Sequence, residues 1–166
     1  MAFWRPMLQS DLPSVDELSN ITHPELPEAP EIFAERLHLY PTGCLVLEDA
    51  GTIQGYVISH PIAEGQPPAL DTLLKALPDD AVLYYIHDLA ISSKLRGQGL
   101  AKGGIEMALA VAAREGFARA CLISVYGTSS FWGKYGFVRQ EVDKQLAEKL
   151  QAYGEDAVFM SQSLSS

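Results

Sequence analysis

The sequence predicts a single mixed α/β domain over residues 1–166, with about seven strands and about four main helices. Three observations carry that expectation. Short apolar runs of strand character alternate with amphipathic helical runs along the chain. At residues 84–101, Y-Y-I-H-D-L-A-I-S-S-K-L-R-G-Q-G-L-A, an apolar strand passes through a Gly-rich turn into a long helix. No internal repeat, low-complexity tract or linker divides the chain, and 166 residues suffice for one real core.

Residues 3–8 read as an edge strand, since Pro6 has no N–H to give a central ladder. Ser10 or Asp11 is placed to cap a helix with Leu12, Val15 and Leu18 on one face. Pro24, Pro27 and Pro30 stiffen the next loop, and Pro30 suits the first turn of a helix carrying Ile32, Phe33, Arg36 and Leu37. Residues 44–48 and 53–60 form a hairpin about Asp49-Ala50-Gly51-Thr52. Residues 61–78 are irregular, with one short helix expected at 70–77. The central strand covers 82–91. The long helix buries Ala101, Ile105, Ala108, Leu109 and Ala112 and ends at Gly116, a left-handed cap. A fifth strand (118–125), a short helix (129–135), a sixth strand (136–142), a polar helix (144–153) and a last strand (157–161) complete the chain.

The Gly-rich turn carries the first chemical signal. Gly97 and Gly99 keep Cβ atoms out of the way, so consecutive backbone N–H groups from Gly97, Gln98, Gly99, Leu100 and Ala101 can converge at a helix N-terminus. Such a nest holds a diphosphate, with Arg96 adding charge at the rim. A dinucleotide fingerprint starting at Gly97 fails because residue 102 is Lys, and a P-loop fails because Lys102 is followed by Gly103.

The spacing Arg96-x-x-Gly99-x-Ala101 resembles the pyrophosphate-binding motif of the GNAT superfamily of acyl-CoA-dependent N-acyltransferases. About thirty residues on, Ser129-Ser130-Phe131-Trp132-Gly133-Lys134-Tyr135-Gly136-Phe137 resembles that superfamily's F-Y-x-K/R-x-G-F element. Tyr85-Ile86-His87-Asp88-Leu89-Ala90-Ile91 is similar to the fourth strand of serotonin-type (arylalkylamine) N-acetyltransferases. The resemblance implies a GNAT fold, a mostly antiparallel mixed sheet splayed between its fourth and fifth strands. It also implies acetyl-CoA as cosubstrate and a primary amine as acceptor. Leu89, Ala90 and Ile91 match the residues whose backbone bonds the pantetheine arm, with Trp132 and Lys134 at the cofactor side of the short helix.

Charge and cysteine usage narrow the partners. A net charge of −9 argues against nucleic acid, because phosphate neutralisation needs a basic face. Residues 21–90 hold eleven carboxylates against Arg36 and Lys75, whereas Lys94, Arg96, Lys102, Arg114, Arg119, Lys134 and Arg139 face only Glu106 and Glu115 over residues 94–139. A basic half suits a phosphate-bearing cosubstrate and an acidic half steers a cationic amine. No apolar run approaches membrane-spanning length, and Arg5, Pro6, Gln9, Ser10 and Asp11 break any leader-like stretch. Cys44 and Cys121 read as buried thiols, consistent with a reducing cytoplasm, and a monomer or homodimer is expected. His23, His38 and His60 show no metal-ligand spacing, and no metal is expected.

An alkylammonium has a pKa near 10, so the site must remove a proton before the nitrogen attacks. His87 is the candidate base, since histidine titrates near working pH. Strand alternation places it on one face with Tyr85, Leu89 and Ile91, and Asp88 on the other with Ile86 and Ala90 in a structural role. The superfamily's tyrosine acid has Trp132 in its place, and an indole N–H is not a useful acid. Tyr126 is the candidate replacement, with Tyr85, Tyr135 and water as alternatives. Val125 also stands where the superfamily often has asparagine. Phe33, Tyr40, Tyr56 and Tyr85 either line an acceptor wall or fill the core. A peptide or protein amine is the alternative acceptor, and a non-catalytic acyl-CoA-binding module the alternative class.

Overall fold

The computed structural model describes residues 1–164. Its strands are β1 (Phe3–Pro6), β2 (Cys44–Asp49), β3 (Thr52–Ile62), β4 (Leu83–Ile91), β5 (Arg119–Ser124), β6 (Val138–Arg139) and β7 (Val158–Ser163). Its helices are α1 (Leu12–Thr22), α2 (Pro30–Leu39), α3 (Ala101–Arg114), the short α4 (Ser129–Gly133) and α5 (Lys144–Ala152). The strands form one sheet in the order β1-β2-β3-β4-β5-β7-β6, antiparallel except for the β4–β5 pair. This is the GNAT fold. No described helix is long and apolar enough to cross a membrane.

Local rules account for most boundaries. Pro30 opens α2 at its first position, where a missing N–H costs nothing. Asp143 caps α5 by accepting from Leu146 N–H at 2.8 Å. Gly116, at φ +88°, lets Phe117 N–H return to the Ala112 carbonyl and ends α3.

Three expectations fail for tertiary reasons. Ser10 and Asp11 do not cap α1 through their side chains; the Asp11 carboxylate instead accepts from Arg5 and from Leu8 N–H. No helix forms at 70–77, because the Glu35 carboxylate of α2 takes the Leu74 and Lys75 N–H groups at 2.6 and 2.8 Å. The sixth strand shrinks to two residues, Val138 and Arg139, both exposed at the sheet edge.

The core lies on both faces of the sheet. On one face α3 and α4 cover Val57, Tyr84, Ile86, Leu122 and Phe137. On the other, α1 and α2 cover Val46, Tyr56, Ile58 and Ala90, while α5 covers Leu83, Tyr85, Cys121 and Phe159. Phe33, Tyr56 and Tyr85 are core residues at 1% exposure or less. Cys44 and Cys121 are buried free thiols, and burial pushes both up to about 12.

Candidate active site

The site begins where two strands part. β4 and β5 pair only at Tyr84–Ala120, Tyr85–Cys121 and Ile86–Leu122. Beyond that point β4 stays with β3 as far as Ile91, and β5 stays with β7 as far as Ser124. The edge of β4 facing the gap therefore has no strand partner among the described residues, leaving open to a ligand those backbone groups of residues 87–91 that neither β3 nor Arg96 engages. Ile86, Leu89, Leu122, Val125, Phe131 and Trp132 wall the resulting cleft, which encloses about 530 Å³ of empty space. Trp132 is 8% exposed and packs edge-on against Phe131 and Phe137, so it is both a core aromatic and a wall.

The Gly-rich turn follows directly from the end of β4. Arg96 Nε donates to the Ile91 carbonyl at 3.1 Å, tying the turn to the strand. Gly97 and Gly99 hold φ of +79° and +73°, which side chains disfavour, and a Cβ on either would meet nothing within 4 Å. The turn thus presents open space, with exposed Gln98 between the two glycines, to the N-terminus of α3. Leu100 precedes that helix without a side-chain cap, and Ala101 is its first residue. An indole sets its position from behind: Trp4 Nε1 donates to the Leu100 carbonyl at 2.8 Å. Gly103 and Gly104 admit the ring, since their Cβ atoms would lie 2.9 and 2.7 Å from Trp4 carbons. Nothing local to Trp4 signals this contact across 96 positions.

The ionisable centre depends on a β-bulge. Ile58 faces Asp88 and Ser59 faces Ile86, so His87 has no partner on β3. The extra residue breaks alternation and corrects the sequence expectation. His87 keeps the side of Tyr85 and His60, with ring centroids 5.8 and 6.2 Å away. Asp88 joins it on that side, reaching Tyr56 and His23, while Leu89 turns to the α3 side.

Two histidine–carboxylate pairs result. His87 Nε2 lies 2.8 Å from Glu28 Oε1, with side chains 1% and 6% exposed. Burial pushes Glu28 up, but the charge and hydrogen bond of His87 outweigh it and hold the carboxyl below its usual range. A carboxylate only accepts, so the Nε2 proton points to Glu28, and the lone pair that the ring offers on giving up its other proton lies on Nδ1. Nδ1 is buried and has no hydrogen-bond partner among the described residues. His23 Nε2 lies 2.9 Å from Asp88 Oδ1, and Asp88 Oδ2 accepts from the Tyr56 hydroxyl at 2.6 Å. Burial pushes Asp88 up too, but His23, His87 and Tyr56 hold it below the ordinary range. His23, His87 and Asp88 line both the cleft and a smaller adjoining cavity with Leu26, Glu28 and Tyr153.

The loop between α1 and α2 delivers His23 and Glu28. Leu26 N–H bonds the His23 carbonyl, Asp71 N–H donates to Glu28 Oε2 at 3.1 Å, and Ala29 N–H donates to Asp71 Oδ1 at 2.7 Å. These two side chains are the ones sequence reasoning missed; the acidic content of residues 21–90 pointed toward Glu28 but not to His23. Tyr126 follows β5 at φ +56°, 43% exposed, its ring stacked on His23 at 5.8 Å and 8°. Ala90 and Ile91 are buried in β4. Lys134 is exposed at the end of α4 and is not a wall of either cavity.

A profile of the Acetyltransferase (GNAT) family matches residues 5–137, which includes the cleft, the Gly-rich turn and both histidine pairs. The chain belongs to that family. As a GNAT enzyme it is an acyl-CoA-dependent N-acetyltransferase with acetyl-CoA as cosubstrate. No curated protein matches its sequence. Its fold is similar to the loading GNATL domain of CurA from Lyngbya majuscula, at TM-score 0.81 and 16% identity over 99% of this chain and 98% of that one. It is also similar to the ribosomal-protein-S18-alanine N-acetyltransferase of Escherichia coli, at TM-score 0.68 and 15% identity over 100% and 96%. N-acetylglutamate synthase from Neisseria gonorrhoeae, complexed with coenzyme A and N-acetyl-glutamate, gives TM-score 0.74 and 16% identity over 100% of this chain and 36% of that one. At these identities the likeness is one of fold. Among the described residues, no group of three or more His, Cys, Asp or Glu is arranged to hold a metal ion.

Proposed function

We propose that this GNAT enzyme acetylates a small primary amine by direct attack on acetyl-CoA, with His87 as the general base. The observation that carries the reading is the His87–Glu28 pair at 2.8 Å, which occupies Nε2 and leaves Nδ1 buried and unpartnered among the described residues, on a side chain that lines both cavities. Glu28 orients the ring and stabilises the imidazolium that forms when His87 takes the amine proton. The Gly-rich turn from Gly97 to Ala101 would hold the diphosphate, because open space faces its positive-φ glycines. The free edge of β4 at Leu89, Ala90 and Ile91 would hold the pantetheine arm and aim a backbone N–H at the thioester carbonyl, where negative charge develops. Acetyl-CoA supplies the activated acetyl group.

A compact acceptor is favoured by the small cavity beside His87, about 350 Å³ including its open mouth and walled by Leu26, Leu70 and Tyr153. Glu25, Glu155 and Asp156 surround the adjoining outer pocket and suit a cationic amine. The test is CoA release from acetyl-CoA across arylalkylamines, polyamines and peptides, with His87→Gln alongside. Turnover of small amines that falls about a hundredfold in His87→Gln supports the reading. Turnover confined to peptides would reassign the acceptor, and a parental rate in His87→Gln would remove His87 as base.

A further inference from the structure

We propose that His23, paired to Asp88, is the general acid that protonates the departing thiolate. The proposal rests on the acetyl-transfer reading above and fills the place left open by Trp132.

Position is the first argument. His23 closes α1, its N–H bonded to the Ser19 carbonyl at 2.8 Å, and its ring forms part of the cleft wall with Leu89, Val125 and Trp132. The ring is held from two sides, by Asp88 at 2.9 Å and by the stacked Tyr126 ring at 5.8 Å. Both ring nitrogens are buried without an aligned hydrogen-bond partner among the described residues, Nε2 lying at ion-pair distance from Asp88. Of the two imidazolium protons, the one on Nε2 is kept in the ion pair with Asp88, which leaves the one on Nδ1 for the sulfur.

Charge is the second argument. The titratable groups facing His23 are Asp88 and His87 of β4, Glu28 of the α1–α2 loop and Tyr126 after β5, with the Tyr56 hydroxyl behind Asp88. Burial pushes the imidazole down, but Asp88, the Leu89 carbonyl and Glu28 outweigh it and raise its pKa above the ordinary value. The imidazolium thus persists nearer neutrality. Tyr126 is a poorer donor. Burial and the charges of Glu25 and Asp88 push its phenol above the ordinary tyrosine value, which already lies above that of a thiol, so transfer to a thiolate runs uphill. Burial pushes the Tyr85 phenol higher still.

The step balances. The amine nitrogen bonds the acetyl carbon and gives its surplus proton to His87 Nδ1. The C–S bond breaks with its electron pair on sulfur, and the His23 Nδ1 proton moves to that sulfur. Amide and CoA thiol leave, and solvent returns a proton to His23 and takes one from His87.

The test reads both equilibrium and rate. NMR titration of the four histidines in the free protein should place His23 above the ordinary histidine range, and Asp88→Asn should lower it by about one unit or more. In steady state with acetyl-CoA and the accepted amine, His23→Gln should lower kcat at least about tenfold, leave the KM for acetyl-CoA within about threefold, and abolish the fall of kcat at alkaline pH. Asp88→Asn should instead move that fall to lower pH. A His23 pKa at or below the ordinary value overturns the assignment, as does a His23→Gln enzyme with parental kcat and an intact alkaline limb. If amines are acetylated while His23→Gln behaves as the parent, only the acid role falls; if no amine is acetylated, both readings fall.

Discussion

His87 and Glu28 meet at 2.8 Å across 59 positions of sequence, one from a bulge in β4 and the other from the loop leading to α2. Neither residue is placed for this contact by its own strand or loop. The bulge gives His87 its position beside Asp88, and the bonds to Asp71 bring the Glu28 carboxylate over it.

Glu28→Gln should therefore lower kcat about tenfold or more, because the amide no longer fixes the imidazole tautomer or stabilises the imidazolium. Affinity for CoA should not change, since Glu28 lines the smaller adjoining cavity and not the cleft. Stopped turnover with intact CoA binding by calorimetry is the expected pair of results. A parental kcat would leave Glu28 only the task of holding Asp71.

Gly99→Val should weaken CoA binding at least about tenfold, since the residue sits at φ +73° and its side chain would enter the open space proposed for the diphosphate. Gly51, at φ +80° in the β2–β3 turn, supplies the control. Gly51→Ala carries comparable backbone strain, on the order of 1 kcal/mol, and should lower thermal stability while CoA affinity stays parental.

Gly104→Val tests the support behind the turn. Its Cβ would lie 2.7 Å from Trp4, and overpacking of this kind costs about 1–3 kcal/mol. Both the melting temperature and CoA affinity should fall, because α3 must shift to clear the ring. Trp4→Phe should give a milder version, losing the 2.8 Å bond to the Leu100 carbonyl, worth about 1 kcal/mol.

Stability should fall on acidification from neutrality. His60 is fully buried, and burial with the charge of His87 pushes it down to about 3. The unfolded chain binds a proton there below about pH 6.5 while the folded protein does not, so stability declines between those values. Asp11, held low by Arg5, and Asp88 and Glu28, held low by their histidines despite burial, contribute above about pH 4 and lose that contribution further down. His23 works in the opposite sense, its raised pKa adding stability below about pH 6.5 that is lost as pH rises through the folded value. Urea midpoints from pH 7 to pH 4 should drop, with a shallower slope for His60→Gln. An unchanged slope would exclude His60 as a source.

Features governed by neighbours in the chain were legible from the residues alone. Pro30 at the start of α2, Gly116 after α3, the β2–β3 hairpin and the Gly97–Gly99 turn each follow from dihedral limits or capping bonds within a few residues. So did the candidacy of His87, through the strand that carries it. Tertiary contacts decided the rest. Alternation put Asp88 across the sheet from His87, but register with β3 inserts a bulge there, and register is a property of two strands. A helical pattern at 70–77 yielded to the Glu35 carboxylate, which bonds the backbone groups a helix would have used. His23, Glu28 and Trp4 act on groups 65, 59 and 96 positions away, and no local rule reaches that far. The residue types capable of the chemistry are written along the chain; which of them share one cleft is decided by where β4 and β5 separate.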